Sequence, residues 1–546
     1  MGDEGVTRTR SRLDGLLLGE SSTLWLAIAA GLPALAAAGL MLAPGLILSR
    51  EMTWDLMFNL SGAWHLAHGH VAYTDFHTPF GVLSFALTAA GFAVAGPTPA
   101  AFLVGQSIVM GLGLLAAVPV AASRLAPLPA LLFVLYGALL ILMPANIGDA
   151  PWAYSFAMSY NRWGWAALMT LGLLLFIAPR RPHFRTWFDV VLSALLITFL
   201  FYLKLTFAAA AIAAVVAAAV TAEHVRQRWK WWAALAVAEG AWIVAPWHWR
   251  YLRNVWSAGY ERTDVAAHLN TVLAGRFEYT VYLAVILVLV WLWQRGWAGI
   301  EAAITATVLL GIGVLVLSQN SQAGDIPLGL VIVLILYDRL CTLAQRVPLA
   351  QRSSFTTLLV LVLLPVSLAL VTSTKVVAGY YRAATASDTL TAPQRTNLKG
   401  LAVPAPALSV TEAMAVTGHR LLSSARTPPL RDALSQSEYV MTLLEAADHL
   451  AGAPVKIFVI DQVNALPFVL GYPPPRGGPL WLWPESTPRD ANELFGDVDV
   501  VLIPKYSTYA AATAFALTTY GGHLTRMFPE RSETASWTIL RRRTAG

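Results

Sequence analysis

Apolar runs separated by short polar connections fill the chain as far as residue 373. They fall at about 24–49, 80–96, 100–123, 128–146, 162–178, 186–203, 206–222, 231–247, 279–294, 298–318, 326–343 and 355–373. Many approach the ~20 residues a helix needs to cross the ~30 Å hydrocarbon core of a bilayer. Beyond about residue 374 the pattern changes. Charge density becomes ordinary, and prolines gather from Pro393 through Pro406. The stretches "VKIFVID" and "VDVVLIPK" then read as buried strands, each followed by a helix-like segment, and "ASWTILRRR" reads as another strand. The pattern predicts a polytopic α-helical membrane protein of about eleven transmembrane helices, with a small outer C-terminal α/β domain. The division falls between 1–373 and 374–546, and a polar first loop spans 50–80.

Composition agrees with the pattern. Hydrophobic residues make up 57% of the chain and charged residues 12%, about half the charge of an ordinary soluble domain. The net charge of +6 carries no nucleic-acid signal, because the arginines fall between apolar runs as loop charges do. The single cysteine, Cys341, rules out an intrachain disulfide. The apolar stretch after the basic start is too long for a signal peptide and is expected to remain as the first helix. Val6 breaks the myristoylation pattern that the initial Met-Gly suggests.

Basic clusters favour the cytoplasmic side. Arg8, Arg10 and Arg12, then Arg180, Arg181 and Arg185, then Arg226, Arg228 and Lys230, then Arg346 and Arg352, all belong inside. These placements agree only if one run fails to cross, and 80–96, short and holding three glycines, is the weakest. Arg124 is then inside, and the first loop, 147–161 and the tail share the outer compartment.

The first loop, "EMTWDLMFNLSGAWHLAHGHVAYTDFHTPFG" at 51–81, is a polar, His-rich interruption directly after the first apolar run. Residues 51–68 suit an amphipathic helix on the membrane surface, with Glu51, Asp55 and Asn59 on one face and Leu56, Leu60 and Trp64 on another. Pro79 breaks any helix before the next run.

Here the chain resembles the GT-C superfamily of membrane glycosyltransferases, which use lipid-phosphate sugars. The resemblance lies in a first helix followed by an outer loop with an acid, Asp55, then "HGHVAYTDF" and "HTPFG". "NIGDAPWAYSFAMSYNRWGW" is similar to the family's second outer loop, with its acid at Asp149, and "FLFYLKLTF" to the Lys-containing break between two later helices. The outer tail fits the branch containing aminoarabinose and protein O-mannosyl transferases. Relatives often carry Lys immediately before the proline of the first-loop motif, where it meets the donor phosphate. Here that residue is Thr78, so either His77 or a basic residue elsewhere takes that role, or the donor sits differently.

The resemblance implies transfer of a sugar from a polyprenyl-phosphate donor to an envelope glycan, lipid or protein at the outer face of a bacterial plasma membrane. Such a reaction needs a base for the acceptor hydroxyl and cations for the departing phosphate. Asp55 is the candidate base. Asp149 would orient the acceptor or share a divalent cation, Mg or Mn, with Asp55, since hard cations take carboxylate oxygens. Asp75 is a third candidate, and a turn role explains it as well. Lys204, Arg250, Arg253, Arg162 and His77 are candidates for the phosphate. Lys204 is the most telling of these, because a lysine between two apolar runs is costly. Arg162 also fits an interfacial anchor beside Tyr160, Trp163 and Trp165. Asn320 and Gln322 in "SQNSQAGDIP" are candidates for sugar hydroxyls.

Bland readings stand beside these. The histidines at 65, 68, 70 and 77 match no zinc spacing. The acids of "DVDV" at 497–500 lead straight into a strand. A transporter or lipid flippase would need ionisable residues near the midplane, where Glu239 and Glu301 are the few acids in or beside the runs. A ligase or polymerase with a lipid-diphosphate donor, or a noncatalytic relative, would share the outer loop.

Overall fold

The computed structural model describes residues 13–180, 186–260, 277–319, 326–346, 352–386, 389–392, 394, 396–404, 434–452, 454–483 and 488–543. The apolar runs become helices at Thr23–Leu42 (α1), Leu83–Ala95 (α3), Ala100–Arg124 (α4), Pro127–Leu142 (α5), Ser159–Phe176 (α6), Thr186–Leu203 (α7), Leu205–Thr221 (α8), Trp229–Ile243 (α9), Phe277–Gln294 (α11), Ile300–Gln319 (α12), Gly329–Arg346 (α13) and Arg352–Ala384 (α14). Two more helices, Thr53–Ala67 (α2) and Trp249–Tyr260 (α10), lie in the polar connections. By length and composition α1, α4, α12 and the Phe355–Ala384 part of α14 are able to cross a membrane, and several shorter apolar helices pack with them. The chain is a polytopic helical membrane protein with a small C-terminal α/β region.

The bundle has two chemically different ends. At one, Arg124 Nη2 meets Asp189 Oδ2 at 2.9 Å in full burial, and the Arg180 backbone N–H donates to Ser123 O at 2.8 Å. The Ser21 hydroxyl donates to Leu125 O at 3.0 Å, and the Tyr337 hydroxyl donates to Leu17 O. The residues that loop charge assigns to one side thus meet there. At the other end lie the first loop, residues 143–158, the α7–α8 break, α10 and the tail. The 13-residue α3, about 20 Å long, is too short to cross. It packs antiparallel on the first part of α4, with Gly91 against Ala101 and Gly105 against Leu87, and so stays at this second end.

Two boundaries differ from the sequence expectation. The first run stops being helical at Leu42, because Pro44 has no N–H to donate and Gly45 turns to φ +66°. Ile47–Leu48 (β1) then forms a strand. The helix α2 is not a surface amphipath. Leu56, Leu60 and Asn59 are all buried, Thr88 donates to Asn59 Oδ1 at 2.6 Å, and Trp64 Nε1 donates to Tyr472 O at 2.8 Å. The helix is enclosed between α3 and the tail.

The tail forms two sheets. Thr389–Thr391 (β2) pairs antiparallel with Leu401–Pro404 (β3), and β1 pairs parallel with β3 in the register Ile47 to Leu401. The second sheet has Ile457–Val459 (β4), Val500–Pro504 (β5), Glu530–Glu533 (β6) and Trp537–Arg541 (β7) in the order β4-β5-β7-β6. Strands β4 and β5 are parallel and the other pairs antiparallel. The helix Gln436–His449 (α15) starts on a capping box of Ser435 and Glu438. Three more helices lie among the described residues of the tail, Leu466–Leu470 (α16), Ala491–Phe495 (α17) and Ala510–Met527 (α18).

Candidate active site

A helix break places the first cation. Lys204 adopts φ −165°, which ends α7 and lets α8 begin at Leu205. A break leaves carbonyls without helical partners, and the Gly81 N–H of "HTPFG" takes Leu203 O at 3.2 Å. Only glycine fits, since a Cβ at 81 would lie 1.8 Å from Tyr202 O. The adjoining Phe80 ring and Tyr160 then flank the ammonium, with centroids 5.6 and 5.3 Å from Lys204 Nζ. Such cation–π contacts hold a charge in place without neutralising it. Thr78 is buried and its hydroxyl accepts the Phe80 N–H at 3.2 Å, so it braces the turn that meets Lys204.

The helix α10 supplies two more cations. Tyr251 docks it by donating to Phe201 O at 3.0 Å and packing on Tyr73 at 4.9 Å. Arg250 Nη1 donates to Thr74 Oγ1 at 2.7 Å. Together with the loop and the tail these elements enclose a cavity of about 1070 Å³. Asp55, Lys204, Arg250, Arg253 and His77 all line it.

Asp55 sits half-buried in the first turn of α2. Burial pushes its carboxyl up to about 7, against a smaller downward pull from the Met158 backbone N–H. The backbone here is strained. Met52, Tyr73 and Met158 carry φ of +51°, +66° and +50°, and all three line the cavity. Non-glycine residues in this region cost about 1–3 kcal/mol each and gather at functional sites. Burial, and then Arg489, hold His77 below the usual imidazole range in spite of Glu493, whose Oε1 lies 3.4 Å from Nε2.

Other candidates lie outside the cavity lining. Asp149 is exposed, and its carboxylate accepts the Asn146 N–H at 3.3 Å. Asp75 turns its carboxylate onto the Val71 N–H at 2.8 Å and lies 3.8 Å from Arg476. Arg162 is fully buried and donates to Asn146 Oδ1 at 2.8 Å and Ser159 Oγ at 2.7 Å, bracing the loop before α6. Asp55 and Asp149, the pair suggested for a cation, are therefore not gathered in the cavity. No cluster of three or more His, Cys, Asp or Glu side chains suited to a metal occurs among the described residues. Asn320 and Gln322 lie outside the described residues. Asp497 and Asp499 of "DVDV" are engaged by Lys456, through its ammonium at 2.5 Å and its backbone N–H at 2.9 Å.

Sequence reasoning missed the tail's share of the site. Residues 477–482 form a strap between loop and sheet. The Gly477 N–H donates to Asp75 O at 2.7 Å, His77 N–H to Gly478 O at 3.0 Å, Leu480 N–H to His77 O at 2.9 Å and Leu482 N–H to Gln462 O at 2.9 Å. The strap sets Trp481 in the cavity wall, and Trp483 and Arg489, further along the tail, line the cavity beside it. The signal was present in "RGGPLWLWP", a double glycine before two tryptophans two places apart.

No family model matches the chain, and no curated protein matches it. Among solved structures it is similar to one described as the crystal structure of ArnT from Cupriavidus metallidurans in the apo state, at TM-score 0.46 and 12% identity, covering 95% of this chain and 98% of that one.

Proposed function

We propose that the protein is a GT-C-type glycosyltransferase that moves a sugar from a polyprenyl-phosphate donor to an envelope acceptor. One observation carries the reading. A carboxyl raised to about 7 and three cations, Lys204, Arg250 and Arg253, line one cavity at one end of a helical bundle. A base works best when its pKa lies near the working pH, and fixed cations stabilise a phosphate as it departs. In this reading the acceptor hydroxyl gives its proton to Asp55 as its oxygen bonds to the anomeric carbon. The bond from that carbon to the phosphate oxygen breaks, and the lipid phosphate leaves against Lys204 and the α10 arginines. A lipid donor keeps its tail in the bilayer, which suits a cavity at the end of the bundle. The orientation follows from loop charge: Arg124 and Arg180 face the cytoplasm, and the cavity and tail face outward from a bacterial inner membrane.

The test compares envelope glycans by mass spectrometry in a host lacking the protein. Restoration of a sugar of definite mass by the wild type, and not by Asp55→Asn at matched expression, supports the reading. Equal restoration by both removes Asp55 as base. A lipid-diphosphate ligase is separated by what the purified protein retains, monophosphate or diphosphate.

A further inference from the structure

We propose that the tail supplies a carbohydrate-stacking subsite in the cavity, built on Trp481 and Trp483, and that the acceptor is a sugar ring rather than a protein side chain. Calling the bound sugar the acceptor rests on the transferase reading; the binding itself does not.

The subsite is built from the sequence upward. The parallel strands β4 and β5 end on the side where the tail meets the loop, and in open α/β sheets ligands bind beyond the carboxyl ends of parallel strands. Asp461, two residues after β4, is buried and accepts from the Ser507 hydroxyl at 2.7 Å, the Thr508 hydroxyl at 2.8 Å and the Gln462 N–H at 2.7 Å. It thereby ties the end of β4 to the turn after β5 and fixes Gln462 at the cavity wall. The Val463 to Trp481 bridge and the Leu482 N–H to Gln462 O bond then lay the tryptophan segment along that edge.

Residues two apart in an extended segment project to one side. The Trp481 and Trp483 rings stand 6.3 Å apart with 29° between their planes. Tyr509 backs Trp483 at 5.3 Å, and Phe58 meets Trp481 edge-on at 5.3 Å. The result is a braced aromatic surface in a cavity whose remaining lining mixes apolar side chains such as Phe58, Phe80 and Met158 with the cations Lys204, Arg250 and Arg253. Its electron-rich faces attract polarised C–H groups, which a pyranose presents as a flat array on one ring face. The hydroxyls of such a ring lie at its rim, and Gln462, Arg489 and Glu493 line the same cavity as polar partners for them. A peptide hydroxyl needs a narrow slot with backbone partners; two broad indole planes suit a ring.

The experiment uses the full-length protein in lipid nanodiscs and saturation-transfer NMR. The probes are methyl β-D-glucopyranoside, methyl α-D-mannopyranoside and the peptide Gly-Ser-Gly. Ring protons of at least one pyranoside should receive saturation, falling fivefold or more in Trp483→Ala and Trp481→Ala. Trp483→Phe, which keeps a ring, should restore much of the signal, and Trp256→Ala, outside the cavity lining, should leave it unchanged. Gln462→Ala provides a milder second variant, with a smaller loss. No saturation of either pyranoside, equal signal in wild type and both tryptophan-to-alanine variants, or preferential saturation of the peptide overturns the proposal. Retention of polyprenyl monophosphate by the same preparations, read by mass spectrometry, separates the two readings. Donor retained without pyranoside binding sinks the subsite alone. Pyranoside bound without donor sinks the transferase reading and leaves the subsite standing.

Discussion

Asp55 has to be ionised to act as a base, in surroundings that resist ionisation. Its folded-state pKa of about 7 stands above the carboxylate value near 4 of an unfolded chain. Between these values the folded protein binds the extra proton, so this residue's contribution to stability falls as pH rises from about 4 to about 7. Asp55→Asn should therefore melt above the wild type at pH 8, with the difference gone by pH 4, as thermal unfolding in detergent would show. The same substitution should cut transfer about 10²–10⁴-fold. Wild-type kcat/KM should climb with pH on an acidic limb centred near 7. A flat profile between pH 5 and 8 would detach the chemistry from this carboxyl. Lys204→Met should weaken retention of polyprenyl phosphate about 10–100-fold, the worth of a hydrogen bond to a charged group, measured as lipid bound per protein. Unchanged retention would leave the phosphate to the α10 arginines.

At the scale of elements, the docking of "HTPFG" on the α7–α8 break depends on one missing methyl. Gly81→Ala puts a Cβ onto Tyr202 O, so loop and lysine must part. Activity should be lost although the helices remain inserted, and activity within twofold of wild type would mean the contact is dispensable. At the opposite end, removing only Asp189 strands Arg124 in full burial, which costs about 3–5 kcal/mol. Asp189→Asn should lower the melting temperature far more than Arg124→Met and Asp189→Leu together. The helices were legible because length and apolarity alone define a membrane span, and Lys204 was legible because a lysine there is expensive. Strands β4, β5 and β7 were legible from short apolar runs. The two-residue β1 was not, since its pairing with β3 comes from a distant segment with no local pattern. Arg489 was missed for a related reason. Nothing near it in sequence says that the tail folds back over the first loop. The enclosed α2 looked amphipathic because nothing local to it shows that α3 covers Asn59, on the face periodicity assigned to water, and that the tail meets Trp64 on the other.

For the molecule as a whole, the strap decides whether tail and bundle act as one body. Gly477 has φ +87°, and a Cβ there would lie 2.1 Å from Glu493 O. Gly477→Ala should leave insertion intact but free the tail, giving faster limited proteolysis between bundle and tail together with lost transfer. Wild-type cleavage rates with full inactivity would point to a local effect on Glu493 instead. The strap and the β1–β3 pairing also set an order in time. Residue 47 is made early and must wait for residue 401, and Asp75 for Gly477. At ~5–20 residues per second of synthesis, that wait is on the order of tens of seconds. During it the loop carries its acid with no chamber around it, and a ribosome that stalls before the tail leaves helices in the membrane and no chemistry. A closed cavity in this protein thus reports that synthesis of the tail, and its folding back onto the first loop, have both been completed.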